Sequence, residues 1–509
     1  MEVKVEQGGI QAVIADAIII NLFRSITEPA GATGVVDQAL SGAISDLIAG
    51  GDLTGKLGET AVLYPRGAIP AHRVIVVGLG EADKFMLESV REASAVAIKQ
   101  ARRLGAASVA TIVHGGGIGG LDLGEAAQAV VEGSLLALYR YDAPRAKTEG
   151  EDQRQVDLLR LVEYDSAKIG LLEDGSAAGR AIADATYRAR TLVNQPSNVA
   201  TPTALADVAR AMCAEGGMTC HVLDEAEMGK QHMGLLLAVT QGATQPAQFI
   251  IIEYKPAAPA ASATGPVVLV GKGVAFDTGG YSLKPPASMV GMKGDMGGAA
   301  AVIGAMEAVA RLKLPLHVAG LVPAVENVVS ATSYKPNDVF IAKNGLSVEI
   351  ISTDAEGRLI LADALCYAST LNPTAVIDVA TLTGGKVIAL GDRTNAVFVN
   401  DDQLSQVLLS AGDKCGEPLW RMPLDPAYDK QLKSEVADLK NTGGRSASSV
   451  TAARFLAHFV GDWPWAHLDI AGSEWYSEGP DQTSRSYLTK GGTAIPLRTL
   501  VECLRRWGE

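Results

Sequence analysis

Cysteine is scarce in this chain. The five cysteines, Cys213, Cys220, Cys366, Cys415 and Cys503, are odd in number, scattered, and form no Cys-x-x-Cys pair. That pattern argues against a disulfide framework and against a thiolate zinc site, and a reducing compartment is the simpler setting. Aromatic residues make up only 5%, so small and aliphatic side chains must build the core. No apolar run is long enough to span a bilayer. The opening residues, Met1-Glu2-Val3-Lys4-Val5-Glu6, lack the basic head and apolar centre of a signal peptide. A cytoplasmic protein without a membrane partner is therefore expected. Positive charge is also short, with a formal net charge of −13 and a pI near 5.2, which argues against nucleic acid as a partner. There is no His-Glu-x-x-His, and His114, His317 and His467 stand at no metal-ligand spacing. Those histidines read as packed or hydrogen-bonded groups.

What is present points to an α/β protein of two domains. A hydrophobic content of 48% with 20% charged residues suits a globular chain, and 509 residues exceed one ordinary core. In the first part, residues 12–20, 72–78 and 107–113 predict buried strands and 85–104 a helix, a βαβ rhythm with a largely parallel sheet. Gly78-Leu79-Gly80 lacks the third glycine of a dinucleotide fingerprint, and the glycines of 115–120 lack the Gly-Lys-Ser/Thr ending of a phosphate loop. Both read as turns or loops. The polar stretch 144–155 predicts a domain boundary. A helical pattern over 176–193, ended by Pro196, is placed to bridge the domains. The expected organisation is a smaller N-terminal α/β domain over 1–160 with an assembly or regulatory role, a linking helical segment over 161–195, and a larger catalytic domain over 196–509. In that second domain, residues 249–252, 267–270, 317–322, 375–380 and 466–470 predict a mostly parallel central sheet flanked by helices, one of them at 296–312. Residues 256–266 predict a surface loop. Asn344-Gly345 signals a hairpin whose second strand is 348–351.

The chemistry gathers around Ser352-Thr353-Asp354-Ala355-Glu356-Gly357-Arg358. Asp354 and Glu356 lie two residues apart, so an extended backbone would put both carboxylates on one face. Converging carboxylates repel unless a cation or a shared proton lies between them. Upstream, Gly271-Lys272-Gly273 leads to Asp277-Thr278-Gly279-Gly280, then Lys284-Pro285, then Lys293-Gly294-Asp295. Ligands of open α/β sheets bind outside the carboxyl ends of the strands. Asp277, Asp295, Asp354 and Glu356 all follow predicted strands or open helices, so all four are expected to face one crevice. Singly, each is as well explained as a solvated or helix-capping group. Together they suit divalent ions, two of them if a carboxylate bridges. Lys272 ordinarily keeps its proton; adjacent dications would depress its pKa and make a neutral lysine ligand feasible. Otherwise it neutralises the acids through ion pairs.

These motifs closely resemble the leucyl (cytosol) aminopeptidase family, and Thr353-Asp354-Ala355-Glu356-Gly357-Arg358-Leu359 looks like that family's signature. The likeness continues in Asn194-Gln195-Pro196, Pro323-Ala324-Val325-Glu326-Asn327, Thr381-Leu382-Thr383-Gly384 and Trp465-Ala466-His467-Leu468-Asp469-Ile470-Ala471-Gly472. It covers most of the chain from about residue 190 onward. The resemblance implies an exopeptidase with two divalent metal ions per subunit, usually zinc or manganese. Its substrates are peptides with a free N-terminus, from which it releases N-terminal residues, leucine preferred. By resemblance, Lys272, Asp277, Asp295 and Glu356 hold one ion, and Asp277, Asp354 and Glu356 the other. Lys284 and Arg358 are then catalytic, with Arg358 seating a bicarbonate ion that serves as general base. Met292, Ser352, Thr381, Gly384 and Ala471 line the pocket for the departing residue. A homohexamer is also implied.

Two positions depart from the family's pattern. Ser352 stands where asparagine is usual, and Ser473-Glu474 follow Gly472 where small or apolar residues are usual. Glu474 is expected to point to solvent or cap a turn; were it to reach the pocket, preference would drift toward polar or basic N-termini. Two other classes stay open at this level. One is another metal hydrolase, acting on amides or phosphoesters. The other is a DNA-binding or structural protein built on the same fold, which the filled metal and catalytic positions and the acidic charge argue against.

Overall fold

A computed structural model describes residues 1–117, 119–144, 153–257, 265–477 and 485–507. Most of the stretch predicted as a domain boundary and most of the predicted 256–266 loop lie outside the described residues. The chain divides into two compact units, Met1–Tyr187 with Ser484–Thr489, and Arg188–Thr483 with Lys490–Glu509. The expected α/β class holds for both.

In the first unit the aliphatic runs form β1 (Glu2–Gln7), β2 (Ala17–Leu22), β3 (Thr60–Leu63), β4 (Val74–Gly78), β5 (Ser108–Thr111) and β6 (Leu158–Glu163). They pair in the order β1-β6-β5-β2-β4-β3, parallel throughout except between β3 and β4. Ile18, Ile20, Val74 and Val76 are fully buried at its centre, as expected for strands covered on both faces. The strand predicted from residue 12 begins only at Ala17. Residues Ile10–Ala12 form a 3-10 turn, and Ile14 is exposed. Asp16 accepts from the amides of Ala107 and Ser108 at 3.0 and 2.9 Å, so its side chain occupies donors that mark the start of pairing with β5. The helix predicted at 176–193 starts earlier, at Ile169, and runs to Asn194.

The second unit holds a nine-stranded sheet. Its strands are β7 (Thr219–Leu223), β8 (Gln248–Tyr254), β9 (Val267–Gly271), β10 (Gly273–Asp277), β11 (Val318–Asn327), β14 (Ala375–Ala380), β15 (Asn395–Val399), β16 (Leu419–Arg421) and β18 (Trp465–Asp469); β12 (Val339–Ile341), β13 (Ser347–Glu349) and β17 (Leu439–Lys440) form a small separate sheet. The order is β16-β15-β18-β14-β9-β11-β8-β7, with β10 beside β11. Pairing is parallel through β18, β14, β9, β11 and β10, and antiparallel where β8 and β15 join. The Gly357–Ser369 helix packs Leu359, Ile360 and its neighbours into one core with Val268 and Val270. The Gly297–Leu312 helix meets β11 at Gly320, where the missing side chain admits Met306 and Val302.

Because β9, β14 and β18 are adjacent and parallel, their carboxyl ends lie on one edge. Lys272 follows β9, Thr381 follows β14, and Ala471 lies just beyond β18. The Asn344-Gly345 hairpin forms as expected, with Gly345 at φ 91°, but its second strand stops at Glu349. The Asn441 side chain captures the amides of Ile351 and Ser352, at 2.8 and 3.2 Å, so they cannot continue the ladder.

Candidate active site

The segment 352–358 reaches its geometry by a turn. An extended backbone was expected to bring Asp354 and Glu356 together, but Thr353-Asp354 lie in a turn and Glu356 has helical angles, φ −73° and ψ −38°, at the mouth of the Gly357–Ser369 helix. Hydrogen bonds from distant parts of the unit hold it. Buried Asn441 donates to the Ser352 carbonyl at 2.6 Å while its Oδ1 takes the two amides described above. The buried Thr353 hydroxyl donates to the Gly279 carbonyl at 2.6 Å and accepts from the Ser282 amide at 2.7 Å. The Thr353 carbonyl accepts from Asn327 Nδ2 at 2.9 Å and from the Tyr334 hydroxyl at 2.8 Å. The same Asn327 amide donates to Asp277 Oδ1 at 2.7 Å.

Asp277, Asp354 and Glu356 are thereby brought together, with one oxygen from each within 4.8 Å of the others. Lys284 reaches between two of them, 2.8 Å from Asp277 Oδ2 and in contact with Asp354 Oδ1. Lys272, almost fully buried, sits 2.8 Å from Asp295 Oδ1 and 2.9 Å from Glu356 Oε1, and donates to the Thr381 carbonyl at 3.0 Å. Gly357 makes that approach possible, since a Cβ there would lie 2.6 Å from Lys272 Cε. Asp295 Oδ1 also accepts from the Thr381 hydroxyl at 2.7 Å. Arg358 is buried; its Nη1 donates to the Asn441 carbonyl at 3.0 Å and its Nε has no partner.

Burial and mutual repulsion set the charges here. Asp277 is pushed up to about 6, by burial first and then by Glu356, against the pull of Lys284 and Lys272. Asp295 is also raised, chiefly by burial. Burial would raise Glu356 as well, but Lys272 and Lys284 hold it below the usual carboxylate range. Burial alone would lower both lysines, and the surrounding carboxylates instead drive each upward. Arg358 is brought down to about 10 by burial. The structure therefore packs cations against carboxylates that would not otherwise tolerate one another.

A cavity of about 510 Å³ collects these groups. Lys272, Asp277, Lys284, Asp295, Asp354, Glu356 and Arg358 line it, and so do Met292, Ser352, Thr381, Gly384 and Ala471. Every site residue expected from sequence faces this one space. Glu474 does too, so of the two positions expected of it the solvent-facing one does not hold, while the turn-capping one agrees with the backbone of Gly472 and Glu474 acting on its carboxylate. The reason is steric. Gly294 and Gly297 leave room beside the Asp295 turn, and a Cβ at Gly297 would lie 2.9 Å from Glu474 Cβ. Sequence reasoning assigned no role to Asn327 and Asp469, which it met only within motifs, and passed over Asn441 and Tyr334. Asp469 accepts from Thr383 Oγ1 at 2.6 Å and from the Leu382 amide at 3.1 Å, shaping the pocket wall. The polar run Asn441-Thr442-Gly443-Gly444 was the available signal for Asn441.

The donor set is that of a divalent-cation site. Hard carboxylate oxygens converge beside a lysine, and buried Asp295 Oδ2 and Glu356 Oε2 have no hydrogen-bond partner. The residues present thus fit metal ions.

Comparison with known proteins decides the family. The description of the cytosol aminopeptidase catalytic domain matches residues 187–501, and that of the family's N-terminal domain matches 19–148. This chain belongs to the cytosol aminopeptidase family. It is 40% identical to a "Probable cytosol aminopeptidase" of Roseiflexus castenholzii, over 100% of this chain and 99% of the relative. A protein of the same description from Syntrophotalea carbinolica is 44% identical over 92% and 93%. Among solved structures, a variant of tomato leucine aminopeptidase superposes with a TM-score of 0.86 at 29% identity, covering 99% of this chain and 96% of that one. The bottromycin maturation enzyme BotP, solved in complex with Mn, gives 0.83 at 35% identity, covering 96% and 99%. Cytosol aminopeptidase membership supports an aminopeptidase function, a hydrolase acting on peptides. Among the described residues no helix is long and apolar enough to cross a membrane.

Proposed function

We propose that this cytosol aminopeptidase releases N-terminal residues, leucine among those preferred, by a dinuclear metal mechanism. The observation that carries the reading is the convergence of Asp277, Asp354 and Glu356 within 4.8 Å, beside buried carboxylate oxygens that lack partners. Lys272, Asp277, Asp295 and Glu356 would hold one divalent ion, and Asp277, Asp354 and Glu356 the second, Mn²⁺ or Zn²⁺ at each. When bound, such a pair lowers the pKa of a water and polarises the scissile carbonyl.

The chain's own groups account for the remaining work. Lys284, held as a cation by its acidic neighbours, is the preorganised charge that stabilises negative charge developing on the carbonyl oxygen. Arg358, with Nε unpartnered and its guanidinium acted on by Glu356 and Asp469 only at a distance, is suited to a small planar anion such as bicarbonate. A bicarbonate held there would supply a general base. Asp295, with one oxygen unpartnered, is the acceptor for the substrate's free α-amine, which restricts cleavage to the N-terminus. Met292, Thr381, Gly384 and Ala471 offer a largely apolar wall to the departing side chain, with Ser352 at its edge. The family likeness further supports a cytoplasmic homohexamer in which residues 1–160 serve assembly or regulation, 161–195 link, and 196–509 catalyse.

The test is hydrolysis of a panel of aminoacyl-p-nitroanilides by the purified full chain, stripped by chelator and then given Mn²⁺ or Zn²⁺. Turnover that vanishes on chelation and returns with either ion is expected. No turnover on any substrate with any metal would overturn the reading.

A further inference from the structure

Among the described residues, three buried carboxylate oxygens have no hydrogen-bond partner: Asp295 Oδ2, Glu356 Oε2 and Glu474 Oε2. All three residues line the same cavity. The first two belong to the proposed metal set. Glu474 does not, and the mechanism above leaves it without a task. Leaving a buried carboxylate oxygen unpaired carries a steep penalty, and in a residue that lines a substrate cavity the missing donor can come from the substrate.

The backbone that carries Glu474 is held firmly. Lys386, itself fully buried, donates to the Ala471 carbonyl at 2.9 Å, to Ser473 Oγ at 2.8 Å and to the Gly391 carbonyl at 2.9 Å. Thr493 donates its hydroxyl to the Ser473 carbonyl at 2.6 Å and its amide to the Glu474 carbonyl at 2.9 Å. These bonds fix the backbone at Glu474 and just before it. Gly294 and Gly297 let its stem pass close to the turn that carries Asp295, and the Thr381 methyl lies near the same spot. Lys386 is the cation that acts on it most, and its ammonium is committed to the three oxygens just named; Asp469 adds repulsion. The carboxylate thus springs from a fixed backbone, is buried, draws on the Gly472 and Glu474 backbone, and has its nearest cation committed to other oxygens. Around it, Met292, Thr381 and Val387 present apolar surface, the environment an aliphatic stem requires.

We propose that Glu474 determines specificity, by pairing with the cationic end of a lysine or arginine side chain at the substrate's N-terminus. The inference rests on the aminopeptidase reading and adds a second class of side chain beside leucine. The substrate's methylenes lie along Met292 and Thr381, and its charged head meets the Glu474 carboxylate.

Lysine and norleucine p-nitroanilides differ in the terminal group alone, so their kcat/KM ratio isolates the charge. The Mn²⁺-loaded full-length enzyme is expected to favour lysine by about 10- to 100-fold, the range of a charge-assisted hydrogen bond. In Glu474→Gln that ratio is expected to collapse toward one, and Glu474→Met is expected to invert it. The ratio is internal to each protein, so a general loss of activity does not move it. A wild-type ratio at or below one would overturn the proposal, as would a ratio unchanged in Glu474→Gln. Should the variants fail to fold, the wild-type ratio still decides. Failure of the aminopeptidase reading looks different: neither substrate, nor leucine p-nitroanilide, would be cleaved at all.

Discussion

In the N-terminal unit, Arg91 and Glu132 are almost fully buried and meet at 2.7 Å, with Glu88 accepting a further bond from Arg91 at 3.3 Å and Gln128 donating to Glu132 at 2.7 Å. In the catalytic unit, Asp295 and Glu356 share Lys272 and each keeps one oxygen without a partner. Both units bury charge, and both are α/β. The difference lies in completion. A buried pair whose lone pairs are filled holds helices together, whereas one left incomplete bears a desolvation penalty that folding alone does not justify. Buried histidines differ in another way, by the charge of the neighbour, since each keeps Nε2 without a partner. His114 has a neutral neighbour, Asn21 Nδ2 at 3.1 Å, and burial drives its pKa down to about 4. His467 is 2.5 Å from Asp378, which overrides burial and raises it.

The largest effect that would test this contrast is on stability. Arg91→Met breaks the buried Arg91–Glu132 pair and is expected to cost about 3–5 kcal/mol, read by chemical denaturation, with the kcat of the surviving folded enzyme unchanged. A fall in kcat without loss of stability would mean that the N-terminal pair is not merely structural. Next, Lys284→Ala is expected to lower kcat by about 10²–10³-fold while metal content, measured by elemental analysis, stays as in the parent. Near-normal turnover would remove the lysine from the chemistry. The third effect depends on pH. His114 has a folded pKa below its unfolded value near 6.5, so its contribution is present above pH 6.5 and is lost as pH falls toward 4, by up to about 3 kcal/mol. His467, raised above its unfolded value, acts in the opposite direction, favouring the fold below pH 6.5 and losing that effect as pH rises through its folded pKa. Replacing His114 with Gln should flatten the acid limb of the stability profile, and an unaltered limb would refute the assignment.

Much of the fold was legible beforehand because strands buried on both faces announce themselves as aliphatic runs, as 267–270 and 375–380 do. Element ends were less legible. The strand expected at 348–351 stops at Glu349 because Asn441, 90 residues away from Ile351, takes the amides it needed. That Glu474 lines the cavity was illegible for a similar reason. Its direction depends on the space left by Gly294 and Gly297, which no local pattern around residue 474 reports.

By itself, the sequence determined the inventory: the carboxylates, the two lysines and the arginine, set after strands whose order on a parallel sheet would bring their ends to one edge. Side-chain chemistry and the period of burial are local properties, and both can be read along a chain. Only the tertiary structure decided that three carboxylates converge through a turn instead of an extended strand. It also decided that Glu474 faces the cavity. Those outcomes rest on bonds such as that from Thr353 Oγ1 to the Gly279 carbonyl, 74 residues apart, and on close packing at glycines, neither of which any window of neighbouring residues encodes.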